Sequence, residues 1–192
     1  MFQMEAPGCA PSKKEFILSK FYTVIVLAGI STLFVFIVSL VLGFIYSDYN
    51  ELTIITSDLE YLVGFFIKLV GFFSFGLFFG FLVKRSAFAV GAMFVWLILE
   101  SILKGFLFYA FRGSESISDH VDQIMRFLPF ESMSNLIKEP FTRLGAVRSV
   151  ATSVGEQINK SYDVEFLNII IVVAWTCIFI YGSYAMLKKR DL

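Results

Sequence analysis

Residues 21–46 run for 26 positions without one charged side chain. A stretch like that has few fates. Helix rise is 1.5 Å per residue, so about 20 apolar residues cross the roughly 30 Å hydrocarbon core of a bilayer. Three further stretches qualify: residues 59–83, interrupted only by Glu60 and Lys68; residues 86–111, carrying Glu100 and Lys104; and residues 166–187, again without charge. Backbone N–H and C=O groups in lipid must be paired within their own segment, and the apolar–polar alternation of barrel strands is absent, so all four read as helices. Composition agrees. Of 192 residues 57% are hydrophobic and 17% charged, with 24 Phe and a mean hydropathy of +0.77. A soluble domain needs about 25% charge to cover its surface. The expectation is an all-α integral membrane protein: a cytoplasmic segment over 1–20, transmembrane helices one to three over 21–111, a helical extracytoplasmic loop over 112–165, and the last transmembrane helix with a basic tail over 166–192.

Orientation follows from Lys and Arg near the span ends. Lys13, Lys14 and Lys20 precede the first span, Lys84-Arg85 form the turn between the second and third, and Lys188, Lys189 and Arg190 follow the fourth. Only Asp48, Glu51, Asp58 and Glu60 stand between the first and second. Both termini and the Lys84-Arg85 turn are therefore expected in the cytoplasm. The loop over 112–165 holds six basic and eight acidic residues and falls outside. Within it Ile117, Val121, Ile124, Met125 and Leu128 follow helical spacing, with Asp119, His120, Asp122 and Gln123 opposite, and Pro129 stops that helix. Short helices are expected over 131–138 and 144–158. An apolar stripe of this kind lies on the membrane surface or packs on the span ends.

Catalytic constellations are missing. No Ser/His/Asp set, no paired carboxylates at helical spacing inside a span and no phosphate-cradling glycine loop with its lysine can be found, so the chain is not expected to be an enzyme. Sixteen basic residues balance sixteen acidic ones, which argues against a nucleic-acid partner. Cys9 and Cys177 are too few for a disulfide framework, and with His120 as the single histidine no zinc set assembles.

The charges inside the spans are more telling, since each costs several kcal/mol unless paired or hydrated. Lys68 lies 16 residues before Lys84 and Glu100 lies 15 after Arg85, so a hairpin of spans two and three brings both to one height, about 23 Å from the turn. Lys104 follows Glu100 by one turn and Trp96 precedes it by one. A Lys68–Glu100–Lys104 cluster is expected in the outer half of the membrane, either as an ion pair locking the hairpin or as part of a substrate path or gate. The pairs Ser39/Gly43, Gly76/Gly80 and Ala87/Gly91 would let helices approach closely, within the chain or against a second subunit. The Phe-rich run over 72–79 reads as lipid-facing and core-filling.

The order of these elements resembles a known family. Ser12-Lys13-Lys14-Glu15-Phe16, followed by Ile17-Leu18-Ser19-Lys20 and a long span, is similar to the segment before the third span of bacterial type-2 ABC exporter permeases. Ile98-Leu99-Glu100 resembles their Leu-Glu pair, Phe127-Leu128-Pro129-Phe130 with Ser134-Asn135-Leu136-Ile137 their outer loop, and the ending Leu187-Lys188-Lys189-Arg190-Asp191-Leu192 their cytoplasmic terminus. The likeness covers residues 12–192. It implies a permease half in a bacterial plasma membrane that pairs with a second half and with an ABC ATPase subunit. ATP and Mg would sit on that ATPase, with no cofactor on this chain. Ser12, Lys13, Lys14, Glu15 and Phe16 would form or flank the coupling helix lodged on it, although Lys13 and Lys14 equally satisfy the positive-inside rule. Such permeases have six spans. With four here, two helices expected before Ser12 are missing, as in a truncated reading frame or a natural split. The competing reading is a membrane scaffold that docks through its outer helices.

Overall fold

The computed structural model describes residues 13–46, 59–83, 86–112, 117–137, 149 and 164–189. Within them lie six helices: α1 (Lys13–Tyr46), α2 (Leu59–Leu82), α3 (Ser86–Ala110), α4 (Ile117–Met125), α5 (Pro129–Asn135) and α6 (Phe166–Lys189). Among the described residues there is no strand, and α1, α2, α3 and α6 are each long and apolar enough to cross a membrane. Ser12, the Lys84-Arg85 turn and all but Ser149 of the helix expected over 144–158 lie outside the described residues.

α1 passes through residue 20, the boundary expected between the cytoplasmic segment and the first span. It runs unbroken for 34 residues, about 51 Å, so the segment over 13–20 and the first span are one rod. No Gly or Pro occurs from Ser12 to Ala28 to interrupt the helix, and Glu15 in its first turn complements the positive end of the helix dipole. Ile17, Val24 and Ala28 form its buried stripe, against α2 and α6.

α2 is the central helix. Gly64, Gly71, Ser74, Phe75 and Phe79 are buried along one face, which meets α6 in parallel. A Cβ on Gly64 would lie 3.7 Å from Val164, one on Gly71 3.0 Å from Val172, and one on Gly182 2.8 Å from the Phe78 ring. Rising numbers on both helices give the common direction. α3 runs the other way: Gly76 faces Met93, and Phe75 meets Trp96 edge-on at 6.2 Å. Phe75 is the hub of the core, with Phe79, Phe130 and Phe179 at 4.7, 5.4 and 4.9 Å. The Phe-rich run thus divides as expected, Phe75 and Phe79 inside and Phe72 largely outside. Of the small-residue pairs, Gly76 takes part in packing. Ser39, Gly43, Ala87 and Gly91 lie on exposed faces.

The described part of the connection between α3 and α6, residues 117–137, does not rest on the span ends. It dips between them. His120 stacks on Phe111 just past the end of α3. The turn after α4 then reaches Trp175, nine residues and about 13 Å into α6, where the indole Nε1 donates to Phe127 O at 2.9 Å. α5 climbs back until Asn135 O accepts from Asn168 Nδ2 near the start of α6. α4 ends at Met125, before Leu128 and Pro129 are reached, and Pro129 is the first residue of α5, which covers Pro129–Asn135 where a helix over 131–138 was expected.

Candidate functional site

α5 begins without a cap of its own. Leu128 occupies the N-cap in extended conformation (φ −78°, ψ 146°) and has no side-chain oxygen to offer. Pro129 has no N–H, which leaves the amides of Phe130 and Glu131 as donors without a partner in the helix. Glu100 supplies the acceptors from inside α3. Phe130 N donates to its Oε1 at 3.2 Å, Glu131 N donates to Oε2 at 3.1 Å, and Trp96 Nε1 donates to Oε1 at 2.6 Å. The residue is 5% exposed. A carboxylate buried this deeply persists only when its oxygens are bonded, and here three N–H groups converge on two of them.

Around this cap stands a ring of weaker, wetter ties. Lys104 Nζ reaches Glu131 Oε1 at 2.6 Å and Asp122 Oδ1 at 3.9 Å. Arg126 Nη2 pairs with Glu165 Oε2 at 2.8 Å, just before α6. The hairpin of α4 and α5 is therefore pinned to α3 through Glu100 and Lys104. It is pinned to the α6 side through Trp175, Asn168 and Glu165.

The expected charges share one region of the α2–α3 hairpin, and α5 supplies partners to two of them. The antiparallel register of α2 and α3 does bring Lys68 and Glu100 to one height, counting outward from Gly76 against Met93. Lys68 is half-buried, on the same side of α2 as Gly64, Gly71 and Phe75. Glu100 and Lys104 enter two separate arrangements. Backbone amides of α5 occupy the Glu100 oxygens, and Glu131, two residues into that helix, projects toward the Lys104 ammonium. Sequence reasoning missed Glu131, Trp175 and Asn168. One signal could have found the first contact: a Pro-initiated helix with leucine at its cap needs an acceptor from elsewhere, and Glu100 is a carboxylate stranded in a span.

At the other end of the molecule lie the expected coupling residues. Lys14 and Glu15 are exposed, and Phe16 is 40% exposed. Its ring meets Phe81 edge-on at 6.3 Å, with Lys20 Nζ 5.6 Å from its centroid. Ile17 beside it is buried. Glu15, Leu18, Ser19, Tyr22, Thr23 and Val26 line an open groove along α1. Among the described residues no group of three His, Cys, Asp or Glu could hold a metal.

A family model described as ABC-2 family transporter protein matches residues 11–192. No curated protein and no solved structure matches the chain.

Proposed function

The chain belongs to the ABC-2 transporter family, whose members are membrane permease components, and on that premise we propose that it is the membrane subunit of an ATP-driven exporter. Its partners would be an ABC ATPase, which holds ATP and Mg, and a second permease half. The segment over 12–16 faces the ATPase from the cytoplasmic side of a bacterial plasma membrane. Closure of the ATPase pair pushes that segment, and the spans rearrange to carry substrate outward.

One observation carries this reading. Residues 13–16, where the coupling contact is proposed, are the first turn of α1 and continuous with the span, and the Phe16–Phe81 contact ties that turn to the end of α2. A push on Lys14 or Phe16 is therefore delivered to two spans at once, because packed helices move as bodies and do not deform continuously. The open groove along α1 leaves one face of that rod for the second half.

Co-purification tests it. The chain is tagged at its C-terminus and extracted in mild detergent with a photo-crosslinking residue at Phe16. An ABC ATPase crosslinked at that position is the expected result. A preparation that brings down other membrane proteins through its outer helices, with no ATPase, overturns the reading in favour of a scaffold.

A further inference from the structure

The hairpin of α4 and α5 bridges α3 and α6 by two sets of bonds that differ in kind. On the α3 side a carboxylate takes two backbone amides and an indole, and Lys104 adds an ion pair at 2.6 Å. On the α6 side stand a neutral indole-to-carbonyl bond at 2.9 Å, a long side-chain amide-to-carbonyl hydrogen bond at 3.4 Å and an Arg126–Glu165 ion pair at 2.8 Å, about a third exposed as Lys104 is. A displacement of α3 relative to α6 cannot preserve both sets. Hydrogen bonds to an ionised group are roughly twice as strong as neutral ones, and breaking the cap would leave a buried charge without donors.

We propose that Glu100 is the positioning residue of this hairpin, the charge that makes α4 and α5 ride with α3 and part from α6 when the spans move. The proposal rests on the exporter reading for the cause of that movement. The cap itself does not depend on it. Leu128 and Pro129 leave α5 with no means of capping itself, so its first amides depend on Glu100 for their acceptors. Seating also consumes the indole N–H of both tryptophans in the chain, Trp96 on Glu100 and Trp175 on Phe127. Each therefore reports on one side of the bridge.

The experiment uses 5-fluorotryptophan and fluorine NMR of the full chain, with the two resonances assigned through Trp96→Phe and Trp175→Phe. In the complex with its ATPase, trapping with ATP and vanadate is expected to shift the Trp175 resonance and leave that of Trp96 in place. A shift of Trp96 with Trp175 unmoved would mean that the hairpin rides with α6, and the proposal would fall. So would two unmoved resonances in a complex whose ATPase is bound, since the cap would then be a static brace. In the chain alone, Glu100→Gln offers one acceptor oxygen where two were used, and both resonances are expected to shift while helix content by circular dichroism is kept. Unmoved resonances in that variant would show that Glu100 does not seat the hairpin. If no ATPase associates, the exporter reading fails on its own, and Glu100→Gln still decides whether Glu100 seats the hairpin. The nucleotide measurement is made on the unsubstituted chain, and either Trp→Phe variant alone is enough to assign its two resonances.

Discussion

Gly71 marks the point where three elements meet with no room for a methyl group. An added Cβ would come 3.0 Å from Val172 Cγ1 and 3.2 Å from Met133 Cε. The methionine end can swing away, but a β-branched valine on α6 cannot. Gly71→Ala is expected to destabilise the protein by about 1–3 kcal/mol, the cost of overpacking. Gly80→Ala, where nothing lies within 4 Å, should be neutral or slightly stabilising through helix propensity. Thermal unfolding of the two variants in detergent checks this, and equal midpoints would refute the close approach of α2, α5 and α6. The ion pairs divide in the same way. Lys104 lies 2.6 Å from Glu131 but 3.9 Å from Asp122, whose side chain is 62% exposed. A double-mutant cycle on Lys104 and Glu131 should return a coupling on the order of 1 kcal/mol, and one on Lys104 and Asp122 close to none.

Among the elements, α5 behaves unlike a free seven-residue helix. First-turn amides usually exchange quickly because water is their acceptor. Those of Phe130 and Glu131 bond to a carboxylate that is 5% exposed. Hydrogen exchange should find them protected, and Glu100→Ala should speed both at least about tenfold, the equivalent of some 1.4 kcal/mol. Unchanged rates would show that the helix caps itself. The long helices were legible in the sequence because an uncharged run of 20 or more residues admits one solution in lipid. α4 was legible too, since Val121 and Met125 recur at helical spacing. Where α4 lies was not, because periodicity reveals that a face is covered and not what covers it. Neither the descent to Trp175 nor the carboxylate arriving from α3 leaves a local trace around Pro129. The bonds that α5 makes to Glu100 and Lys104 were hidden for a related reason. Spacing along one helix says which side chains could meet, and a second helix then competes for the same oxygens.

For the whole molecule, helix directions and charge agree on one orientation. Phe16 against Phe81 makes α1 and α2 antiparallel, Gly76 against Met93 does the same for α2 and α3, and Gly71 against Val172 makes α2 and α6 parallel. The start of α1 and the end of α6 therefore lie on the same side as the end of α2. Lys14 and Lys20 on α1 and Lys188 on α6 stand at that side, and in the sequence Lys84-Arg85 follow the end of α2 and Arg190 the end of α6, while the hairpin enters from the other side. Basic residues close to short spans are retained in the cytoplasm, and we propose on that ground that the clustered side is the inner one. With Cys9 and Cys177 replaced, Lys14→Cys and Lys188→Cys should resist a membrane-impermeant maleimide in intact cells and react after permeabilisation. Asp122→Cys, on the exposed face of α4, should react in intact cells. Labelling of Lys14→Cys or Lys188→Cys without permeabilisation would invert the topology. It would also put the Phe16 contact out of reach of any cytoplasmic ATPase.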